Sequence, residues 1–242
     1  SPPWKGFTLA WFIATGAEFG KPGMPRDRAM LGSIAASFKL ALPVALLAVL
    51  LGTANAFLLE RARFRGKTLV AMMMLWPLVI PGVILGISIL AFFSRLANGL
   101  EDWLQRDLDI LRPGLGLIVL GQLSFILSLS TLIIAARLRR FDRALEEAAF
   151  DLGASRLRVL RTVTLPYLRP ALVGAGLVAL LMSFENFNTT LMLVGSEPPL
   201  PVYMYGQMRE GATPAVNAVS VLLMLFAGGL AAVAVLGGRR AT

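Results

Sequence analysis

Residues 146–166 read Glu146-Glu147-Ala148-Ala149-Phe150-Asp151-Leu152-Gly153-Ala154-Ser155-Arg156-Leu157-Arg158-Val159-Leu160-Arg161-Thr162-Val163-Thr164-Leu165-Pro166, a charged, helix-patterned insert between apolar segments long enough to cross a bilayer. Leu145, Ala148, Ala149 and Leu152 fall at i, i+3, i+4 and i+7, one face of a short amphipathic helix, while Asp142, Arg143 and Glu146 lie toward other faces. Gly153 can adopt a left-handed conformation and end that helix. Ser155 can cap a second helix carrying Leu157, Leu160 and Thr164, and Pro166 either stops it or opens the next apolar segment. Two short helices meeting at a glycine bend form a compact knob that fits a groove on a soluble partner. A helix lying on the headgroups, held there by arginines, fits the same residues.

The rest of the chain is oily. Of its 242 residues 57% are hydrophobic and 15% charged, against about half and about a quarter in soluble domains; the mean hydropathy is +0.73. Uncharged stretches at Leu40–Leu59, Leu69–Phe93, Leu115–Ala136, Ala171–Phe184 (continuing toward Val194) and Ala215–Leu236 predict five spans. The first can begin nearer Ala29, which leaves Lys39 close to an interface or facing protein. Pro77 and Pro81 predict a kink in the second span.

Arg61, Arg63, Arg65 and Lys67 follow the first span, and seven arginines lie in 137–166, so both connections are placed in the cytoplasm. The connection between the second and third spans carries three arginines against four acids and reads as outside. An odd number of spans then leaves Ser1 outside, which leads us to expect an additional earlier span and six in the full subunit. The expected organisation is an extracytoplasmic linker at 1–28, a transmembrane domain at 29–236 that includes the cytoplasmic loop 137–166, and a cytoplasmic tail at 237–242.

The formal charge of +9 is accounted for by these clusters. No aromatic stacking platform or nucleic-acid motif accompanies it, and nucleic acid is not an expected partner. Without Cys or His, thiolate chemistry and the commonest general base and metal ligand are missing. No H-E-x-x-H, G-x-S-x-G or paired intramembrane acids support an enzyme. A secondary transporter driven by protons or sodium, the lesser alternative, would usually show broken helices or ionisable groups near the midplane, and Glu185 is placed too near one face for the latter. A bare membrane scaffold would leave the 146–166 pattern without a purpose.

Glu147-Ala148-Ala149, three residues, Gly153, nine residues, then Val163-Thr164-Leu165-Pro166 resembles the EAA loop of permease subunits of binding-protein-dependent ABC importers, with Val163 in place of an isoleucine. Phe64-Arg65-Gly66-Lys67, Trp76-Pro77-Leu78-Val79-Ile80-Pro81, Ser183-Phe184-Glu185-Asn186-Phe187 and Thr213-Pro214-Ala215-Val216-Asn217-Ala218 resemble the spermidine/putrescine branch, its second permease subunit in particular. The likeness implies an all-α integral membrane chain of the type I ABC importer permease fold, multi-pass in a bacterial cytoplasmic (inner) membrane. It implies a coupling helix in which Glu147, Ala148, Ala149, Gly153, Leu165 and Pro166 serve docking. It also implies a homologous second permease, an ATPase homodimer that holds ATP and Mg, and an extracytoplasmic solute-binding protein. This chain would bind no cofactor and no metal and would perform no chemistry itself.

For the solute pathway, a span starting near Tyr167 puts Glu185 about 27 Å along the helix, near the outer edge of a hydrocarbon core about 30 Å thick. Glu185, Asn186, Asn188, Thr189 and Thr190 would then wall a polar mouth suited to a cation; a plain helix end in the interface fits the same residues. Asn186, where polyamine permeases often place another acid, leaves an amino-acid-like or other small polar solute open as the alternative. Gln122 and Asn55 are intramembrane amides that either glue helices or line the cavity. Gly82 and Gly86, and the face formed by Ser124, Ser128 and Thr131, suit close helix packing.

Overall fold

The structure is a computed structural model and describes Phe12 and residues 27–104, 106, 108–211 and 214–239. The expectations placed on 1–26, apart from Phe12, and on 240–242 lie outside the described residues.

A long first helix, α1 (Arg28–Arg61), begins close to Ala29, the earlier of the two starts open to the first span, and is capped by Asp27, whose carboxylate accepts from the Met30 N–H. At about 1.5 Å per residue it is about 51 Å long, well over the thickness of a hydrocarbon core. Its small residues Ala41, Ala45, Ala48, Gly52 and Ala56 are buried and recur at helical spacing. They let α1 lie closely along α4 (Leu115–Arg139): a Cβ on Gly52 would come within 3.2 Å of the Ser130 Cβ and the Thr131 nitrogen. Leu40, Val44, Leu117, Ile118, Ile126 and Ala179 continue this seam into one apolar core.

The second expected span, Leu69–Phe93, is not one helix. It is divided into α2 (Lys67–Val79) and α3 (Gly82–Leu104). Ile80 is extended at φ −75° and ψ 128° because the ring of Pro81 disfavours helical backbone in the residue before it. The break therefore falls at Pro81, while Pro77 stays inside α2. None of α2's residues is buried, and Trp76, Val79, Ile84 and Phe92 turn large apolar surfaces outward, as lipid or a second membrane subunit requires.

After α4 come α5 (Ala144–Asp151) and α6 (Arg156–Val159), then a π turn over Leu160–Thr164 that runs without interruption into α7 (Leu165–Glu185). Pro166 therefore opens the span and does not stop α6. Proline has no N–H to give and crowds the carbonyl four residues back; the π turn meets this by letting the Leu165 N–H reach the Leu160 carbonyl, five residues back.

The expected continuation of α7 toward Val194 is also broken. Asn186 is extended, and its Oδ1 accepts from both the Thr190 N–H and the Thr190 hydroxyl, which starts a separate helix, α8 (Asn188–Leu193). A local side-chain bond of this kind competes with continued helix. Helices α9 (Leu200–Gly211) and α10 (Pro214–Arg239) complete the described chain.

The two basic connections meet at one end of the bundle, where Arg139 of α4 donates to Glu60 of α1 and Arg61 donates to Glu146 of α5. The other connections meet at the opposite end: the Gly114 N–H donates to the Leu193 carbonyl, and Arg112 pairs with Glu101. There the outer part of α1 supports α9, with the Ser37 hydroxyl accepting the Leu200 N–H and Tyr203 donating to Asp27. Lys39 lies 3.9 Å from Glu197 at this level, both side chains largely exposed. It is thus clear of the midplane.

Candidate functional site

At the basic end, α5 closes in a Schellman turn. The Ala154 N–H donates to the Ala149 carbonyl at 3.1 Å and the Gly153 N–H to the Phe150 carbonyl at 2.8 Å, with Gly153 at φ 81°. Ser155 then caps α6, its hydroxyl accepting from the Arg158 N–H. No residue of α5 is buried; Leu145, Glu147, Ala148, Phe150 and Leu152 are exposed, Leu152 at 89%. Of the expected apolar face of this knob, Leu145, Ala148 and Leu152 are therefore open, and Ala149 is half-buried. Leu165 and Pro166 stand apart from the knob, at the foot of α7.

The two adjacent glutamates separate. Glu147, the one in the EAA pattern, is exposed, whereas Glu146 points into the bundle. Both terminal nitrogens of Arg61 donate to Glu146, at 2.9 and 3.1 Å, and the Thr164 hydroxyl donates to the same carboxylate at 2.6 Å. The guanidinium lies 5.4 Å from the ring centre of Phe141. Sequence reading missed this group because its members are 85 and 18 residues apart; the one usable signal was an arginine ending the first span and an acid beginning the insert.

At the opposite end the expected pathway residues fall into three places. Glu185, the last residue of α7, is exposed and lines a pocket of about 390 Å³ with Phe184, Phe187, Tyr205, Met208 and Phe226. The Phe187 and Tyr205 rings meet at a tilt of 54° with centres 4.9 Å apart, Phe184 and Phe226 at 47° and 5.8 Å, and Arg209 sits 5.9 Å from the Tyr205 ring centre. Glu185 is the only acid among the described residues that line the pocket.

Gln122, Asn186 and Thr189 are not in that pocket. Gln122 is fully buried; its amide nitrogen donates to the Thr190 hydroxyl at 2.8 Å and to the Ser183 carbonyl at 3.4 Å, and its oxygen accepts from the Ser183 hydroxyl. Of the two roles open to this amide, the geometry realises the helix glue, and its place among the pathway residues is corrected accordingly. The Thr189 hydroxyl, also buried, donates to the Gly82 carbonyl. Asn188 is exposed beside Gly82. Gly82 and Gly86 do serve close packing: a Cβ on Gly86 would lie 2.8 Å from the Met192 Cβ of α8. Asn55, half-buried, lines a separate cleft of about 440 Å³ with Met73, Met74, Pro77, Ser124 and Thr131.

A helical bundle with a broken second span, an exposed knob at its basic end and an acid-bearing pocket at the other end is the build of a transport subunit, and comparison with known proteins agrees. Residues 48–240 match the family described as "Binding-protein-dependent transport system inner membrane component". The chain belongs to that family and is an inner-membrane permease subunit of an ABC importer.

Among curated relatives, the putrescine transport system permease protein PotI of Escherichia coli (strain K12) is 33% identical over 223 residues, covering 91% of this chain and 74% of the relative. The spermidine/putrescine transport system permease protein PotC of the same strain is 28% identical, covering 92% and 76%. A solved bacterial ABC transporter involved in import of the acidic polysaccharide alginate superposes with a TM-score of 0.76 at 18% identity, over 99% of this chain and 85% of that one. The MetNI methionine ABC transporter, in an inward-facing conformation, gives 0.63 at 18% identity, over 89% and 95%. These likenesses establish the type I permease fold.

Proposed function

We propose that this permease carries a polyamine, putrescine or spermidine, through the half-channel it forms. The observation that carries the reading is the Glu185 pocket. Its volume of about 390 Å³ lies within the range of about 300–1,000 Å³ common for small-ligand sites. One carboxylate among aromatic faces suits a slender organic cation, since rings attract ammonium groups through their π faces and the acid supplies a counter-charge. PotI and PotC, both named for polyamine transport, match more than nine-tenths of this chain. A metal oxyanion or an acidic polysaccharide would meet the carboxylate as repulsion.

The exposed knob Glu147–Gly153 docks an ATPase subunit in this reading. The face of Leu145, Ala148 and Leu152 enters a cleft, Glu147 orients the approach from the rim, and Ala148 and Ala149 let the two backbones come close. ATP and Mg are held by the ATPase dimer, and hydrolysis takes place there. A homologous permease completes the channel, and an extracytoplasmic binding protein delivers solute at the Glu185 end. The basic end faces the cytoplasm, as the arginine clusters require.

A second reading, an amino-acid-like solute, draws on Asn186, which stands where another acid would strengthen a polyamine site. As a neutral amide it adds no charge, its Oδ1 is committed to Thr190, and it does not line the pocket. ATPase activity of the full complex in lipid, with its binding protein, across spermidine, putrescine and a panel of amino acids separates the readings. Stimulation by a polyamine, lost in Glu185→Gln, is expected. Stimulation by amino acids alone would retire the polyamine assignment.

A further inference from the structure

The Glu146 carboxylate joins three elements that are far apart in sequence. It lies on α5, receives two hydrogen bonds from Arg61 at the end of α1, and receives a third from Thr164 in the π turn that leads into α7. Arg61 and Glu146 side chains are only 22% and 18% exposed, and Thr164 is buried. Under them Phe141 packs with Leu138 and Leu168 and meets the Tyr167 ring edge-on at 5.0 Å. Arg137 stacks on the other aromatic, 4.2 Å from the Tyr167 ring centre. The nearby Arg139–Glu60 pair is different in kind, because the arginine is 72% exposed and water screens it.

Since α5 buries none of its own residues, apolar packing holds it weakly to the bundle. A two-pronged arginine–carboxylate contact is strong and directional, and it fixes distance and orientation together. We propose that Glu146 is a positioning residue: with Arg61 and Thr164 it forms a clamp that passes any displacement of α5 to α1 and α7 at once, so that the long helices of the bundle move with the knob. Glu147 meets the partner; Glu146 holds the knob to the spans. The proposal rests on the docking role assigned to α5.

Its test uses the full complex reconstituted in lipid, with sister permease, ATPase and binding protein. Two quantities are read: ATPase retained on the permease, and hydrolysis with saturating putrescine relative to hydrolysis without it. Arg61→Gln and Glu146→Gln are each expected to retain the ATPase and to lower stimulation about tenfold, within the range of coupling between linked sites. The double variant should be no worse than the poorer single, since both remove one contact. Glu146→Asp, which keeps the charge on a shorter arm, should recover part of the loss.

Full stimulation in Glu146→Gln, additive losses in the double variant, or a loss accounted for by lost ATPase would each overturn the clamp. Should Glu146→Gln fail to reach the membrane, Thr164→Val is read instead. It keeps the ion pair and removes one bond, and a fall of about fivefold with normal assembly is expected; no fall overturns the proposal. Gly153→Leu in the same assay tests the docking role itself. If it behaves as wild type, docking fails; if it uncouples while Glu146→Gln does not, the clamp alone fails.

Discussion

Gly153 and Glu146 show what a single residue can and cannot announce. Gly153 stands at φ 81°, and a Cβ added to it would meet no atom within 4 Å, so backbone conformation and not crowding demands glycine there. A left-handed conformation costs an ordinary residue about 1–2 kcal/mol, too little to unfold a bundle of this size. Gly153→Leu should therefore still insert in the membrane, yet place a bulky side chain on the knob and detach or uncouple the ATPase. Gly153→Asn, which tolerates this conformation, should retain more of the coupling. Membrane yield together with substrate-stimulated hydrolysis checks both; normal stimulation in Gly153→Leu would refute the docking role. The glycine was legible because its signal is local: the helix before it, Ser155 after it and the EAA spacing around it. Glu146 was not. The EAA spacing singles out Glu147, but nothing within 146–166 marks Glu146 as a partner of the spans, and that role is set by Arg61, which the fold brings in from 85 residues away.

At the scale of elements, apolar length located most of the membrane helices but did not fix where they break. Pro81 signalled a kink and produced a full interruption, since Ile80 is forced to an extended conformation. The break after Glu185 had no comparable signal: Asn186 ends α7 by bonding to Thr190, and a lone asparagine in an apolar run does not reveal which backbone it will choose. The pathway residues scattered for the same reason. Their polarity was visible, but whether an amide faces a cavity or a neighbouring helix depends on packing that brings Gln122 against Ser183 and Thr190, 61 and 68 residues on. Removing those bonds should be costly. Gln122→Leu takes the acceptor from the Ser183 hydroxyl and a donor from the Thr190 hydroxyl, which still gives to Asn186, and should destabilise the purified subunit by about 1–3 kcal/mol, seen as a lower Tm. Gly86→Leu should cost about as much by overpacking, because the new side chain meets Met192. An unchanged Tm in either variant would contradict the packing described between α3, α4, α7 and α8.

For the molecule as a whole, the proposed function gives one end to a soluble partner and the other to a solute, and α1 and α7 run between them. Both helices end at the clamp on the basic side, and both contribute to the outer cluster through Met30, Ala41 and Phe184. A push on α5 would thus reach the pocket along helices that already meet there. On the proposed function energy enters at the basic end, whereas a carrier that couples to ions takes it up near its midplane. The most direct test is uptake of labelled putrescine into proteoliposomes holding the full complex, with ATP on the ATPase side and the binding protein on the other, in the presence and absence of ionophores. Uptake that requires ATP and persists when proton and sodium gradients are collapsed is the predicted result; uptake that ignores ATP and disappears with the gradients would contradict it.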